Sequence, residues 1–166
     1  SALRLLALLL ALAAAGGLLA APWLVYLIAP GFEPDKYALT VDLTRIMFPY
    51  VIFIGLVALC MGILNVLGHF AAPALAPVFL NAAMIAAIAS GALVTRVETQ
   101  LVRWLALGVV AGGVLQLGLQ IPFLIRNKVH FWHPAGFWHP AFKRIAWMMG
   151  PVLFGAAVYQ INSFVV

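Results

Sequence analysis

Asp42 and Arg45 stand three residues apart, a spacing that puts both on one helix face within ion-pairing reach. They immediately precede a run, Ile46 to Thr95, that contains no Asp, Glu, Lys or Arg. Two readings fit this position. One is an interfacial ion pair at a helix start, where charges near an end stay solvated at little cost. The other is the polar rim of a substrate cavity, because charges inside apolar stretches tend to face water-filled space. The other polar candidates are amides: Asn65, Asn81, Gln116, Gln120, Gln160 and Asn162, each within or at the edge of an apolar stretch. Hydrocarbon offers an amide no hydrogen-bond partner, so each must find one in protein or water. Gln116 and Gln120 are one helical turn apart and face the same way, whereas Gln160 and Asn162 are two apart and do not. Such groups either bond across helices, for about 0.6 kcal/mol each on average, or line a pathway.

Other chemistries lack their residues. His130, His133 and His139 fall in a near-duplicate, Phe131-Trp132-His133-Pro134-Ala135 and Phe137-Trp138-His139-Pro140-Ala141. No Cys or acidic residue completes a tetrahedral metal set there. Aromatic rings beside basic residues read instead as a segment lying at lipid headgroups. Cys60 is the single cysteine, which excludes an intrachain disulfide and leaves a small buried hydrophobe. There is no phosphate-cradling glycine loop, paired catalytic carboxylates or nucleophile with a base. The expectation is a chain that is not an enzyme and needs no cofactor or metal. Gly108, Gly112 and Gly113 form a small-xxx-small pattern, which lets a second helix backbone approach closely.

The elements that carry these residues must cross a membrane. Hydrophobic residues are 66% of the chain and charged residues 8%, against roughly 25% charged in soluble domains. A soluble domain could not hide so much apolar surface. The mean hydropathy of +1.15 agrees. The net charge of +5 therefore argues for orientation and contact with anionic lipid rather than nucleic acid. Spanning helices of about 20 residues are expected at residues 5–29, 37–67, 74–94 and 101–125. A further span starts at 145–166, and residues 126–144 form a basic, aromatic connector. The second of these spans begins with a polar turn, residues 37–45, and is apolar from residue 46 to residue 67. The apolar run at 5–29 is too long for the roughly 7–15 residues of a signal-peptide core. Both chain ends read as cuts in a longer sequence. Pro49, Pro77, Pro122 and Pro151 lie near span ends, where a missing backbone donor costs least.

The loops suggest an orientation. Arg126, Lys128, Lys143 and Arg144 follow the fourth span, and Arg4 precedes the first on the same side. The loop with Glu33, Asp35 and Lys36 is net acidic. By the positive-inside rule residue 1 and the 126–144 loop are cytoplasmic.

Several blocks carry a family resemblance. They are Thr44-Arg45-Ile46-Met47-Phe48-Pro49-Tyr50, Gly62-Ile63-Leu64-Asn65, Phe70-Ala71-Ala72-Pro73-Ala74-Leu75-Ala76-Pro77 and Asn81, with Gly112-Gly113-Val114-Leu115-Gln116 and Gln120-Ile121-Pro122 further on. Met149-Gly150-Pro151 and Gln160-Ile161-Asn162 complete the set. In this order they resemble the MurJ/MviN family of lipid II flippases. The resemblance implies an all-α, polytopic helix bundle of the multidrug/oligosaccharidyl-lipid/polysaccharide exporter superfamily, built from two lobes. Residues 1–125 would be helices three to six of the N-terminal lobe, and residues 145–166 the start of the C-terminal lobe. The implied partners are lipid II, membrane lipids and the remaining helices. The implied process is alternating access that supplies peptidoglycan precursor at the bacterial cytoplasmic membrane. The family's functional arginines in helices one, two and eight have no counterpart here. His69 stands where the family often has Arg, and Gly55 where it often has Ser. An exporter of another polyprenyl-linked glycan or a drug, and a membrane scaffold without a transport path, remain as alternatives.

Overall fold

A computed structural model describes residues 2–129, with side chains from residue 6, together with the isolated positions 155 and 158. The described residues form α1 (Ala2–Ile28), α2 (Pro34–Met47), α3 (Tyr50–Val66), α4 (Ala71–Val94) and α5 (Glu98–Arg126). The segment expected as a further span, Gln160 and Asn162 with it, lies outside the described residues, as does the aromatic duplicate.

Long apolar runs explain α1, α3, α4 and α5; α1, α4 and α5 continue through the interior prolines Pro22, Pro77 and Pro122. The 24 residues of α4 reach about 36 Å and the 29 of α5 about 43 Å at 1.5 Å per residue. Both exceed a hydrocarbon core of about 30 Å. Among the described residues four stretches are long and apolar enough to span a membrane, with α2 and α3 together making one of 33 residues.

The second span is divided in two. Residues 37–45 are helical and belong to α2. Pro34 sits in the first turn of α2, where its missing N–H costs nothing. Asp35 opens that helix and Arg45 closes it, each complementing the helix dipole. The span is then interrupted at Phe48-Pro49. Pro49 has no N–H to close onto the Arg45 carbonyl. The chain tightens through Val51 N–H to Phe48 C=O at 3.0 Å and Ile52 N–H to Pro49 C=O at 3.1 Å before α3 begins.

The centre of the bundle is the antiparallel pair α4–α5. Gly108 meets Met84 and Gly112 meets Leu80 at their Cα atoms, and Gln116 reaches Ala76, a contact on each successive turn. Gly113 looks the other way, onto Tyr50 and Phe53 of α3. α3 and α5 run parallel and end together over Cys60, Leu64, Ala72 and Leu124, which form one buried cluster. α1 runs antiparallel to the second span, with Gly17 under the Phe48 ring and Leu10 over Gly55. Ala21 and Val25 pack with Val41 beside Tyr37, whose hydroxyl donates to the Pro22 carbonyl at 2.9 Å.

Two helix ends share one membrane face and one geometry. After α3, Gly68 takes φ +77° while its N–H bonds Asn65 C=O and the His69 N–H bonds Leu64 C=O. After α5, Lys128 takes φ 53° while its N–H bonds Ile125 C=O and the Val129 N–H bonds Leu124 C=O. Both are Schellman caps, in which a left-handed residue satisfies the last carbonyls.

Candidate functional site

The sequence brought Asp42 and Arg45 together; the structure gives Asp42 a different partner. Arg103 Nε, on α5, donates to Asp42 Oδ2 at 2.7 Å. Both side chains remain about half exposed, at 50% and 43%, so the pair is worth at most about 1 kcal/mol. Its structural effect is to tie the second half of α2 to α5. Arg45, on the last turn of α2, is exposed and has no ion-pair partner among the described residues. It sits one turn before the interruption, beside its own unclosed carbonyl. A broken spanning helix with a free cation at the joint is an arrangement that can meet an anionic solute.

The amides divide sharply. Asn65 and Asn81 are exposed on the bundle's outside. Gln116 and Gln120 are instead buried, at 3% and 0% exposure, between α5 and its neighbours. Gln116 Nε2 donates to the Ala76 carbonyl at 3.0 Å. Gln116 Oε1 and both polar atoms of Gln120 have no protein partner. The antiparallel register places Gln120 one turn along from that bond, level with Ala72 and Pro73. Pro77 cannot donate to the Pro73 carbonyl, so a free acceptor lies on the facing turn of α4. The two glutamines thus form a polar strip inside an otherwise apolar interface.

The three glycines sit at helix contacts. A Cβ on Gly108 would lie 2.6 Å from Ala87 Cβ, one on Gly112 3.1 Å from Leu80 Cα, and one on Gly113 2.8 Å from the Tyr50 ring. Sequence reasoning missed Gly17, where a Cβ would fall within the Phe48 ring, and Gly91, which faces Trp104. Neither belongs to a repeating pattern, so the close approach was invisible without the partner helix. It also missed His69 Nε2 meeting Asn127 Oδ1 at 2.9 Å, which links the α3–α4 turn to the end of α5. Among the described residues no group of His, Cys, Asp or Glu is arranged to hold a metal.

Apolar helices of spanning length, crossed by a short polar strip, define a multi-pass helical membrane protein. The family model described as lipid II flippase MurJ matches residues 1–166, and the chain belongs to the MurJ family. It is 38% identical over 157 residues to the lipid II flippase MurJ of Burkholderia cenocepacia, a match covering 90% of this chain and 30% of the relative. It is 40% identical over 145 residues to the probable lipid II flippase MurJ of Vibrio cholerae, covering 87% and 27%. Against the probable lipid II flippase MurJ of Rhizobium tropici it is 38% identical over 151 residues, covering 87% and 28%. The chain therefore spans less than a third of the length of these relatives.

Proposed function

We propose that this chain supplies four spanning helices of the N-terminal lobe of a lipid II flippase in the bacterial cytoplasmic membrane. Residues 126–144 are its cytoplasmic connector, and residues 145–166 begin the C-terminal lobe. The observation that carries this reading is the match of relatives named lipid II flippase to some 90% of the chain. Lipid II bears a bulky anionic head, and moving it bare through hydrocarbon would be prohibitive. A hydrated, cationic cavity between lobes replaces the lost hydration while the lipid tail stays in the bilayer. Rocking of one lobe on the other exposes that cavity to each side in turn.

Within this chain Arg45 is the residue proposed to face the substrate path. It is exposed, and the carboxylate nearest in sequence is held by Arg103. Asp42 shapes the rim by fixing α2 to α5. Asn65 and Asn81 face outward from these helices, toward lipid or the rest of the longer protein. Gln116 and Gln120 act inside the helix contact, and Gly108, Gly112 and Gly113 let the helices move as one block.

Complementation tests the reading. The full-length protein is expressed in cells depleted of their own flippase, and growth and outer-leaflet lipid II are measured. Rescue is expected, with Arg45→Ala weakening it and Arg45→Lys retaining most of it. Failure of the unaltered protein despite good membrane expression overturns the flippase reading. Full rescue by Arg45→Ala removes only Arg45 from the path.

A further inference from the structure

The face that carries the two Schellman caps has a charge and a shape that the transport reading does not use. All four acidic residues of the chain (Glu33, Asp35, Asp42 and Glu98) lie toward the opposite face, in the α1–α2 and α4–α5 loops and the helix turns beside them. The capped face holds Arg126, Lys128 and His69, all exposed, and no acid among the described residues. Beside them an open groove of about 420 Å³ runs along α3, lined by Ala58, Gly62, Ile63, Val66, Leu67 and Val129. From Ala58 to Leu67 it extends about 14 Å from that face into the bilayer depth. Its lining is entirely apolar by residue type. Gly62 forms part of its floor and has nothing within 4 Å of where a Cβ would stand.

Two details show that the basic cap belongs to the groove. Val129 lines the groove, and Lys128 precedes it at φ 53°. A side chain in the left-handed region is strained, and glycine is the usual occupant of this cap position. The sister cap does use glycine, Gly68. The chain therefore keeps a lysine where the backbone prefers none. Leu67 also lines the groove, and His69 follows two residues on. Asn127 Nδ2 donates to the Phe123 carbonyl at 2.7 Å, which fixes Oδ1 as the acceptor for His69 Nε2–H. The ring is thereby held in place beside the groove, with Nδ1 as its acceptor nitrogen.

We infer that this corner binds one anionic phospholipid, with an acyl chain in the α3 groove and its phosphate against Lys128 and Arg126. Charge complementarity selects the occupant: a lipid phosphate meets a face with cations and no carboxylate, while an apolar tail meets an apolar groove. A second helix of the longer chain would fill the groove but give the exposed cations no anion to meet, and the positive-inside rule, which accounts for basic residues on this face, does not call for one at a left-handed cap position.

The test uses the full-length protein in a neutral detergent, titrated with phosphatidylglycerol or phosphatidylcholine and read by native mass spectrometry. Phosphatidylglycerol is expected to bind more tightly. Lys128→Gly separates a binding role from a structural one. It relieves the strained cap, so thermal stability should rise, while phosphatidylglycerol affinity falls about fivefold, the worth of one basic residue near an anionic surface. Arg126→Gln should lower that affinity similarly. Gly62→Leu fills the groove and should weaken both lipids alike. The inference is overturned if Lys128→Gly leaves the preference for phosphatidylglycerol unchanged. It is equally overturned if Gly62→Leu leaves lipid uptake intact, because then another helix covers the groove, or if inorganic phosphate displaces the lipid completely, because then the tail contributes nothing.

Discussion

Gly108→Ala and Gly118→Ala make the same chemical change in one helix and should have opposite effects. Both gain up to about 1 kcal/mol from replacing glycine in a helix interior. At Gly118 nothing lies within 4 Å of the added carbon, so the gain stands alone. At Gly108 the new carbon falls 2.6 Å from Ala87 Cβ and 3.2 Å from both the Ala83 carbonyl oxygen and Met84 Cα. Carbon atoms rest comfortably at about 3.5–4.0 Å, so α5 must withdraw from α4 by about 1 Å. None of those atoms is the tip of a flexible side chain. Overpacking of this kind costs about 1–3 kcal/mol, which outweighs the gain over most of that range. The two variants should therefore differ by about 1–3 kcal/mol. Full-length protein in mild detergent, heated stepwise and scored for the monodisperse fraction, gives the order directly. Gly118→Ala should melt at or above the unaltered protein, and Gly108→Ala below it. Equal melting of the two variants would refute the claim that the α4–α5 contact is closed by glycine.

Three further outcomes are expected in the same assay or alongside it. Gly17→Val should displace the Phe48 ring and destabilise by about 1–3 kcal/mol, and an unchanged melting temperature would mean that α1 does not rest on the interruption. Gln116→Leu should cost about 0.6 kcal/mol by removing the bond to Ala76, whereas Gln120→Leu should be neutral or stabilising because neither of its polar atoms has a protein partner; a large loss at Gln120 would point to bound water between the helices. A double-mutant cycle on Asp42→Asn and Arg103→Gln should give a coupling of less than about 1 kcal/mol that shrinks with salt, and a coupling of several kcal/mol would mean that the pair is desolvated in the full-length protein.

What the sequence disclosed depended on how local the cause was. The spanning helices were legible because a long uncharged run has no other stable home. The glycine pattern on α5 was legible because its spacing matches the helix period. The partner of Asp42 was not, because helical spacing identifies Arg45 and cannot see Arg103 on another helix. Pro49 lay inside the expected 37–67 span, yet its position alone could not show that the helix is interrupted there; contacts to α1 and α5 hold the polar part, residues 37–45, in a helix of its own. The amides looked alike in the sequence. Burial separates Gln116 and Gln120 from Asn65 and Asn81, and burial depends on which face the neighbouring helices cover.

The interruption at Phe48-Pro49 also bears on how the protein meets bilayers of different thickness. A straight helix of 33 residues would be about 50 Å long, far more than a hydrocarbon layer of about 30 Å, and would have to tilt steeply or deform the lipid. A joint removes that demand. The 17 residues of α3 reach about 25 Å, close to the thickness of the oily layer, while the 14 residues of α2 carry the charged residues Asp35, Lys36, Asp42 and Arg45 at the other end of the span. A change of angle at one residue pair would let the span fit a thinner or thicker membrane, and the contacts of α3 with α5 would not have to slide for it.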